Sequence, residues 1–142
     1  VNVEGTLLGM QVALDFMRKQ GKGSIVNLAS TASLKGNPIM ASYGASKATV
    51  AHFTRSAALQ NARTQNDIRI NAVLPGLVET AMADDFYGIF DKIGSPEAVR
   101  GAFTTGRSAR AEEIADVILF LASDRASFVS GASIVVDRAA SA

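Results

Sequence analysis

Tyr43 and Lys47 stand four residues apart in the run Tyr43-Gly44-Ala45-Ser46-Lys47. On a helix that step places both side chains on one face, a turn apart. An ammonium beside a phenol favours the phenolate, which a phenol titrating near 10 needs if it is to exchange protons around neutral pH. Many helices contain the pair without using it, so its surroundings decide its meaning. Ser30 ends an apolar run, Ser24-Ile25-Val26-Asn27-Leu28-Ala29-Ser30, and precedes Tyr43 by 13 residues. A hydroxyl there can donate to a carbonyl oxygen and help orient the Tyr43 hydroxyl. Downstream, Leu74-Pro75-Gly76-Leu77-Val78-Glu79-Thr80 follows a second apolar run and belongs on the same rim. A serine, a tyrosine and a lysine so placed are a set for moving a proton to or from an oxygen.

Elements must hold these groups in place. Residues 5–19 carry Leu8, Val12, Phe16 and Met17 at helical spacing, and Gly21-Lys22-Gly23 stops that helix. Residues 24–30 read as a buried strand, apolar on both faces and so in want of a neighbour on each side. A loop over 31–40 carries the turn signal Gly36-Asn37-Pro38. The Ala-rich stretch 41–62 reads as a helix, with Val50, Phe53, Ala57 and Leu59 as core positions. A strand over 68–74, a helix over 111–123 bearing Ile114, Val117, Ile118 and Leu121, and a strand over 132–136 complete the order. Strands separated by helix-length connections run parallel, so the expected class is α/β with a Rossmann-like layered sheet, the 24–30 strand at its edge.

The segment 77–110 is less regular, with Met82, Phe86, Tyr87, Phe90 and Phe103 among polar residues. Ser95-Pro96-Glu97 within it reads as a helix start. Such a segment beside a catalytic layer is expected to be a substrate lid. Met82 and Phe86 would wall an apolar pocket, while Asp84 and Asp85 suit a solvated loop. His52, five residues past Lys47 and about 140° round the helix, faces elsewhere.

Taken together, these motifs resemble the short-chain dehydrogenase/reductase family along the whole chain. The matching pieces are Asn2–Gly5 (Asn-x-x-Gly), Gly23–Ser30, Tyr43–Lys47, Ile68–Gly76 and Val129–Asp137. The resemblance implies that Tyr43 is the general acid in reduction and the base in oxidation. It implies that Lys47 lowers the Tyr43 pKa and holds the nicotinamide ribose, that Ser30 binds the substrate oxygen, and that Asn2 positions a water near Lys47. Pro75, Gly76, Val78 and Thr80 would line the nicotinamide of NAD or NADP. The implied reaction interconverts a secondary alcohol and a ketone. The Val1–Gly5 run, Asn27–Ser30 and the Asp137-Arg138-Ala139 ending are similar to bacterial 3β/17β-hydroxysteroid and alicyclic alcohol dehydrogenases, with 3-oxoacyl-carrier-protein reductase as the enzymatic rival. A small hydrophobic ketone or alcohol and a homo-oligomer, tetramer or dimer, built through the two long helices and the last strand, are the implied partners.

Two departures bear on that picture. No Gly-x-Gly-x-x-Gly or Thr-Gly-x-x-x-Gly-x-Gly occurs in these 142 residues, so the donors for a pyrophosphate are not among them. The expectation is therefore the carboxyl-terminal catalytic part of one Rossmann-like domain, its dinucleotide-binding half absent, and inactive alone. The alternative is a truncated, non-catalytic chain that assembles with full-length relatives through the open sheet edge. The family's Asp-Gly-Gly, moreover, is Asp137-Arg138-Ala139 here, which puts the last turn in question.

Composition closes other routes. There is no cysteine, which excludes disulfides, thiolate catalysis and zinc–thiolate sites, and one histidine cannot make a two-histidine metal site. A net charge of +1 without a basic block gives no case for nucleic acid or anionic membrane. No apolar run reaches membrane-spanning length and the first residues lack signal-peptide order, so a cytoplasmic protein is expected.

Overall fold

Apolar residues that recur every three to four positions form helices here, and β-branched runs form the strands between them. A computed structural model describes residues 1–37, 39–64, 66–83, 88 and 105–142. Helix α1 spans Asn2–Gln20 and ends at Gly21, whose φ of 76° is open to a glycine at little cost and whose N–H donates to the Arg18 carbonyl. Strand β1 follows over Lys22–Leu28, then a 3-10 turn over Thr31–Ser33 and helix α2 over Ala41–Ala62. Strand β2 runs Asp67–Pro75, helix α3 Ala111–Ala122 and strand β3 Ser133–Val136.

The sheet order is β1-β2-β3, and both pairings are parallel. The β2 strand is central and its side chains alternate between two layers. Ile68 and Ile70 pack with Met10, Leu14 and Ala58, and Ala72 and Leu74 pack with Ala29, Val50 and Ala51, so α1 and α2 cover one face. Val73 packs with Ile114, Leu121 and Ala126, so α3 covers the other. Burying these apolar groups is the main stabilising term, about 1.5–3 kcal/mol for each large side chain removed from water.

Two polar residues of β2 share the α3 face. Arg69, 8% exposed, donates to the Leu121 carbonyl at 2.7 Å and to the Ser123 carbonyl at 3.0 Å. Its guanidinium thus caps the negative end of a helix that has no basic residue in its own last turn. Asn71 donates to the Val129 carbonyl at 2.7 Å and accepts from the Ala132 N–H at 3.0 Å, which fixes the chain as it enters β3.

Several expectations shift. In α1, Met17 packs against the core, but Leu8, Val12 and Phe16 are exposed; Met10 and Leu14, with Leu7, form the buried face instead. Leu59 is also exposed, because the core face of α2 runs through Val50, Ala51, Thr54 and Ala58 and the next residue turns about 100° away. Phe53 and Ala57 are partly buried against that core. The first strand ends at Leu28 rather than Ser30, since the Ser30 side chain accepts from the Ala32 N–H and starts a 3-10 turn. Of β1 only Asn27 is buried, although the run reads apolar on both faces, because among the described residues β1 lies at the edge of a three-stranded sheet. The last turn forms without glycines, Arg138 and Ala139 taking positive φ of 52° and 64°. Phe86, with Asp84, Asp85, Tyr87, Phe90, Phe103 and Ser95-Pro96-Glu97, lies outside the described residues. Among the described residues, no helix is long and apolar enough to cross a membrane.

Candidate active site

Parallel strands present their carboxyl ends on one rim, and the chain leaving β1 and β2 there carries Ser30 and Pro75–Thr80. Helix α2 brings Tyr43 and Lys47 to the same rim. Lys47 Nζ donates to the carbonyl of Leu28, the last residue of β1, at 2.9 Å. The same ammonium lies 5.8 Å from the Tyr43 ring centroid, within cation–π range. Partial burial pushes the Lys47 pKa below its usual 10.5, because the low-dielectric surroundings disfavour the charged form. One of its three N–H groups is engaged at Leu28, which leaves two donors for another partner.

Ser30 is reached through the turn that follows it. Its hydroxyl accepts from the Ala32 N–H at 3.2 Å, and its carbonyl accepts from the Ser33 hydroxyl at 2.6 Å. Helix α2 sits hard against this turn at Gly44. A Cβ on Gly44 would lie 2.7 Å from the Ala32 carbonyl oxygen, so only glycine allows this approach unless the backbone shifts. Tyr43 is its immediate neighbour, and the Gly44 contact is what fixes the tyrosine's turn of helix against the serine's turn of loop.

Asn2 opens α1 and is exposed. Its side-chain amide donates to Ser46 Oγ at 3.2 Å, and Ser46 Oγ donates to the Tyr43 carbonyl at 2.7 Å. Ser46 therefore ties the first turn of α1 to the first turns of α2, a role its type and position do not announce. Gly44 carries a sequence signal, since an interior helical glycine costs about 1 kcal/mol against alanine and usually has a packing reason. Asn27, buried between the layers, donates to Thr54 Oγ1 at 2.9 Å and supports β1 on α2 beneath the site.

The 75–80 loop is bonded on both sides. The Gly76 N–H donates to the Val136 carbonyl at 3.0 Å, and a Cβ there would come 2.8 Å from that of Asp137. Val78 pairs with Ala109 in an isolated parallel bridge and packs against the α3 layer. Pro75, Gly76 and Val78 are half-buried, whereas Thr80 is exposed, its hydroxyl donating to the Val78 carbonyl at 3.4 Å. Met82 is 71% exposed and joins no core cluster among the described residues. The structure thus ties Asn2 through Ser46 to the Tyr43 backbone, sets the Lys47 ammonium over the Tyr43 ring, and packs the Ser30 turn against Gly44. His52 is exposed on α2.

Residues 1–139 match the family model described as enoyl-(acyl carrier protein) reductase. The chain belongs to the short-chain dehydrogenase/reductase family. Among curated family members, cyclopentanol dehydrogenase of Comamonas testosteroni is 41% identical over 137 residues, which are 96% of this chain and 53% of that protein. Of solved short-chain dehydrogenase/reductase structures, levodione reductase superposes with a TM-score of 0.89 at 34% identity, covering 99% of this chain and 55% of that one. The structure described as ElxO with NADP bound gives a TM-score of 0.84 at 30% identity, covering 98% of this chain and 54% of that one. The chain spans about half the length of the curated relatives it matches.

Proposed function

We propose that these residues form the catalytic part of an NAD- or NADP-dependent oxidoreductase that interconverts a secondary alcohol and a ketone. The observation that carries the reading is the anchoring of Lys47 at Leu28, which holds its ammonium beside the Tyr43 ring on the strand-end rim. The NADP named with one structural neighbour and the alcohols named for relatives support the class of cofactor and substrate.

The residues present suit a nicotinamide nucleotide. Among the described residues Lys47 keeps two free donors for ribose hydroxyls, the half-buried Pro75, Gly76 and Val78 offer an apolar edge, and the exposed Thr80 hydroxyl, which donates to Val78, can accept from a carboxamide. When bound, the cofactor supplies or accepts the hydride at the carbinol carbon. In reduction, Tyr43 gives its hydroxyl proton to the substrate oxygen; in oxidation its phenolate takes that proton back. Ser30 donates to the same oxygen and orients the substrate. Lys47 places positive charge beside the Tyr43 ring. Asn2, fixed by Ser46, holds water near Lys47 for return of the proton.

The proposed substrate is a small hydrophobic cyclic alcohol or ketone, which the apolar side chains of Met82 and Phe86 suit. Residues 1–142 act with a glycine-rich strand-turn-helix that binds the pyrophosphate, in a cytoplasmic homo-oligomer. The exposed Leu8, Val12 and Phe16 on α1 support such an assembly.

The test is Tyr43→Phe in the protein expressed from its complete reading frame, assayed on cyclopentanone with NADH and NADPH. Loss of turnover by about a hundredfold or more, with the circular dichroism spectrum unchanged, is the expected result. Retained activity would refute the role of Tyr43. A reading frame with no glycine-rich strand-turn-helix would favour the non-catalytic assembly chain, for which the unpaired outer edge of β1 among the described residues is the supporting feature.

A further inference from the structure

Granting that the 75–80 loop receives the nicotinamide, we infer that Arg107 is a positioning residue for that loop, held by Glu113 and acting through the backbone of Ala109. The loop lies between two supports. On one side Gly76 bonds to β3 through the Val136 carbonyl. On the other, the Ala109 N–H donates to the Leu77 carbonyl and the Glu79 N–H donates to the Ala109 carbonyl, both at 2.9 Å. The first support is a strand of the sheet. The second, residues 107–110, has no regular structure beyond that one bridge, so something else must fix it.

Arg107 and Glu113 do so. The guanidinium donates Nη1 to Oε2 and Nη2 to Oε1 of Glu113, each at 2.7 Å, a bidentate pairing with defined direction as well as distance. Arg107 Nη1 also donates to the Ser108 carbonyl at 2.9 Å, and the Arg110 N–H donates to Glu113 Oε2 at 2.8 Å. Glu113 itself stands in the first turn of α3, which Ile114 and Leu121 anchor against Val73 of β2. A continuous path runs from the core, through the helix and this one carboxylate, to the backbone that braces Val78 and Glu79.

A half-exposed ion pair contributes little to global stability, because solvent screens it and two side chains must be ordered. Its geometry commits both partners to the 107–110 segment, so the consequence falls on loop placement. Arg110 and Glu79 are the other charged groups facing the pair; Asp137 and Arg138 line the same cleft beside Leu77. The Glu113 carboxyl is held down at about 2 by the Arg107 hydrogen bonds and the Arg110 N–H, so it is ionised throughout the neutral range.

The experiment titrates NADH and NADPH fluorescence against the protein from its complete reading frame. Arg107→Gln is expected to raise Kd about tenfold while Tm moves by only a few degrees, and Arg107→Lys to recover part of the affinity. Unchanged Kd in Arg107→Gln, with or without a fall in Tm, overturns the inference and leaves the proposed function standing. If Arg107→Gln does not fold, Glu113→Gln, which keeps an acceptor for the Arg110 N–H, is titrated in its place and judged by the same Kd. A wild-type protein that binds neither dinucleotide refutes the proposed function, and the inference with it.

Discussion

Lys47 of α2 and Leu28 of β1 are joined by a 2.9 Å hydrogen bond from ammonium to carbonyl across 19 positions of sequence. The bond uses the last carbonyl of an edge strand to hold a cation that is partly withdrawn from water. It also explains how a long, flexible side chain can keep one position beside Tyr43.

That withdrawal has a pH signature. Burial sets the folded-state pKa of Lys47 below its usual 10.5. Below the lowered value the fold carries the full cost of burying the charge; between that value and 10.5, only the unfolded state stays protonated, so stability rises with pH. Lys47→Met is expected to abolish this rise while leaving the circular dichroism spectrum unchanged. Urea titrations across the alkaline range check it, and an equal slope in the variant would contradict the placement of Lys47.

Arg69→Met removes the guanidinium that satisfies the Leu121 and Ser123 carbonyls at the carboxyl end of α3. The methionine fills similar volume, so the loss falls on the helix end. We expect a destabilisation of about 2–4 kcal/mol in urea unfolding, with the effect spread over α3 in hydrogen exchange. A loss within 0.5 kcal/mol or so, as for ordinary surface sites, would show that water caps the helix equally well.

Val12→Asp tests the proposed assembly. Val12 is 59% exposed between Leu8 and Phe16, so a carboxylate there costs the monomer little. Buried in an interface it would be an unpaired charge. Sedimentation velocity on the complete protein is expected to show a smaller species than wild type. An unchanged oligomer would remove the α1 face from the interface.

Periodicity and local chemistry in the sequence were enough to locate six elements and their parallel order, because each depends on residues close together in the chain. The Tyr43–Lys47 pair was legible for the same reason: a helix fixes the angle between positions four apart. Which face of α1 turns inward was not. Leu8, Val12 and Phe16 make as good a stripe as Met10 and Leu14, and only packing against Ile68 and Ile70 chose between them. The end of β1 was likewise decided locally but outside the strand pattern, by the hydroxyl of Ser30 capping its own turn. The Arg138-Ala139 turn takes positive φ without glycine, and the bonds around Asp137 and the end of β3 hold it there against the backbone preference of both residues.

The sequence by itself determined the residue types able to move a proton and the elements that bear them. The tertiary structure alone decided how those elements meet: Lys47 on the Leu28 carbonyl, Asn2 on Ser46, Gly44 against Ala32, and Arg107 on Glu113 behind the 75–80 loop. The physical reason is range. Helix and strand patterns arise from interactions a few residues apart, whereas these contacts form only after sheet, helices and turns have packed and each distance is set by the whole core.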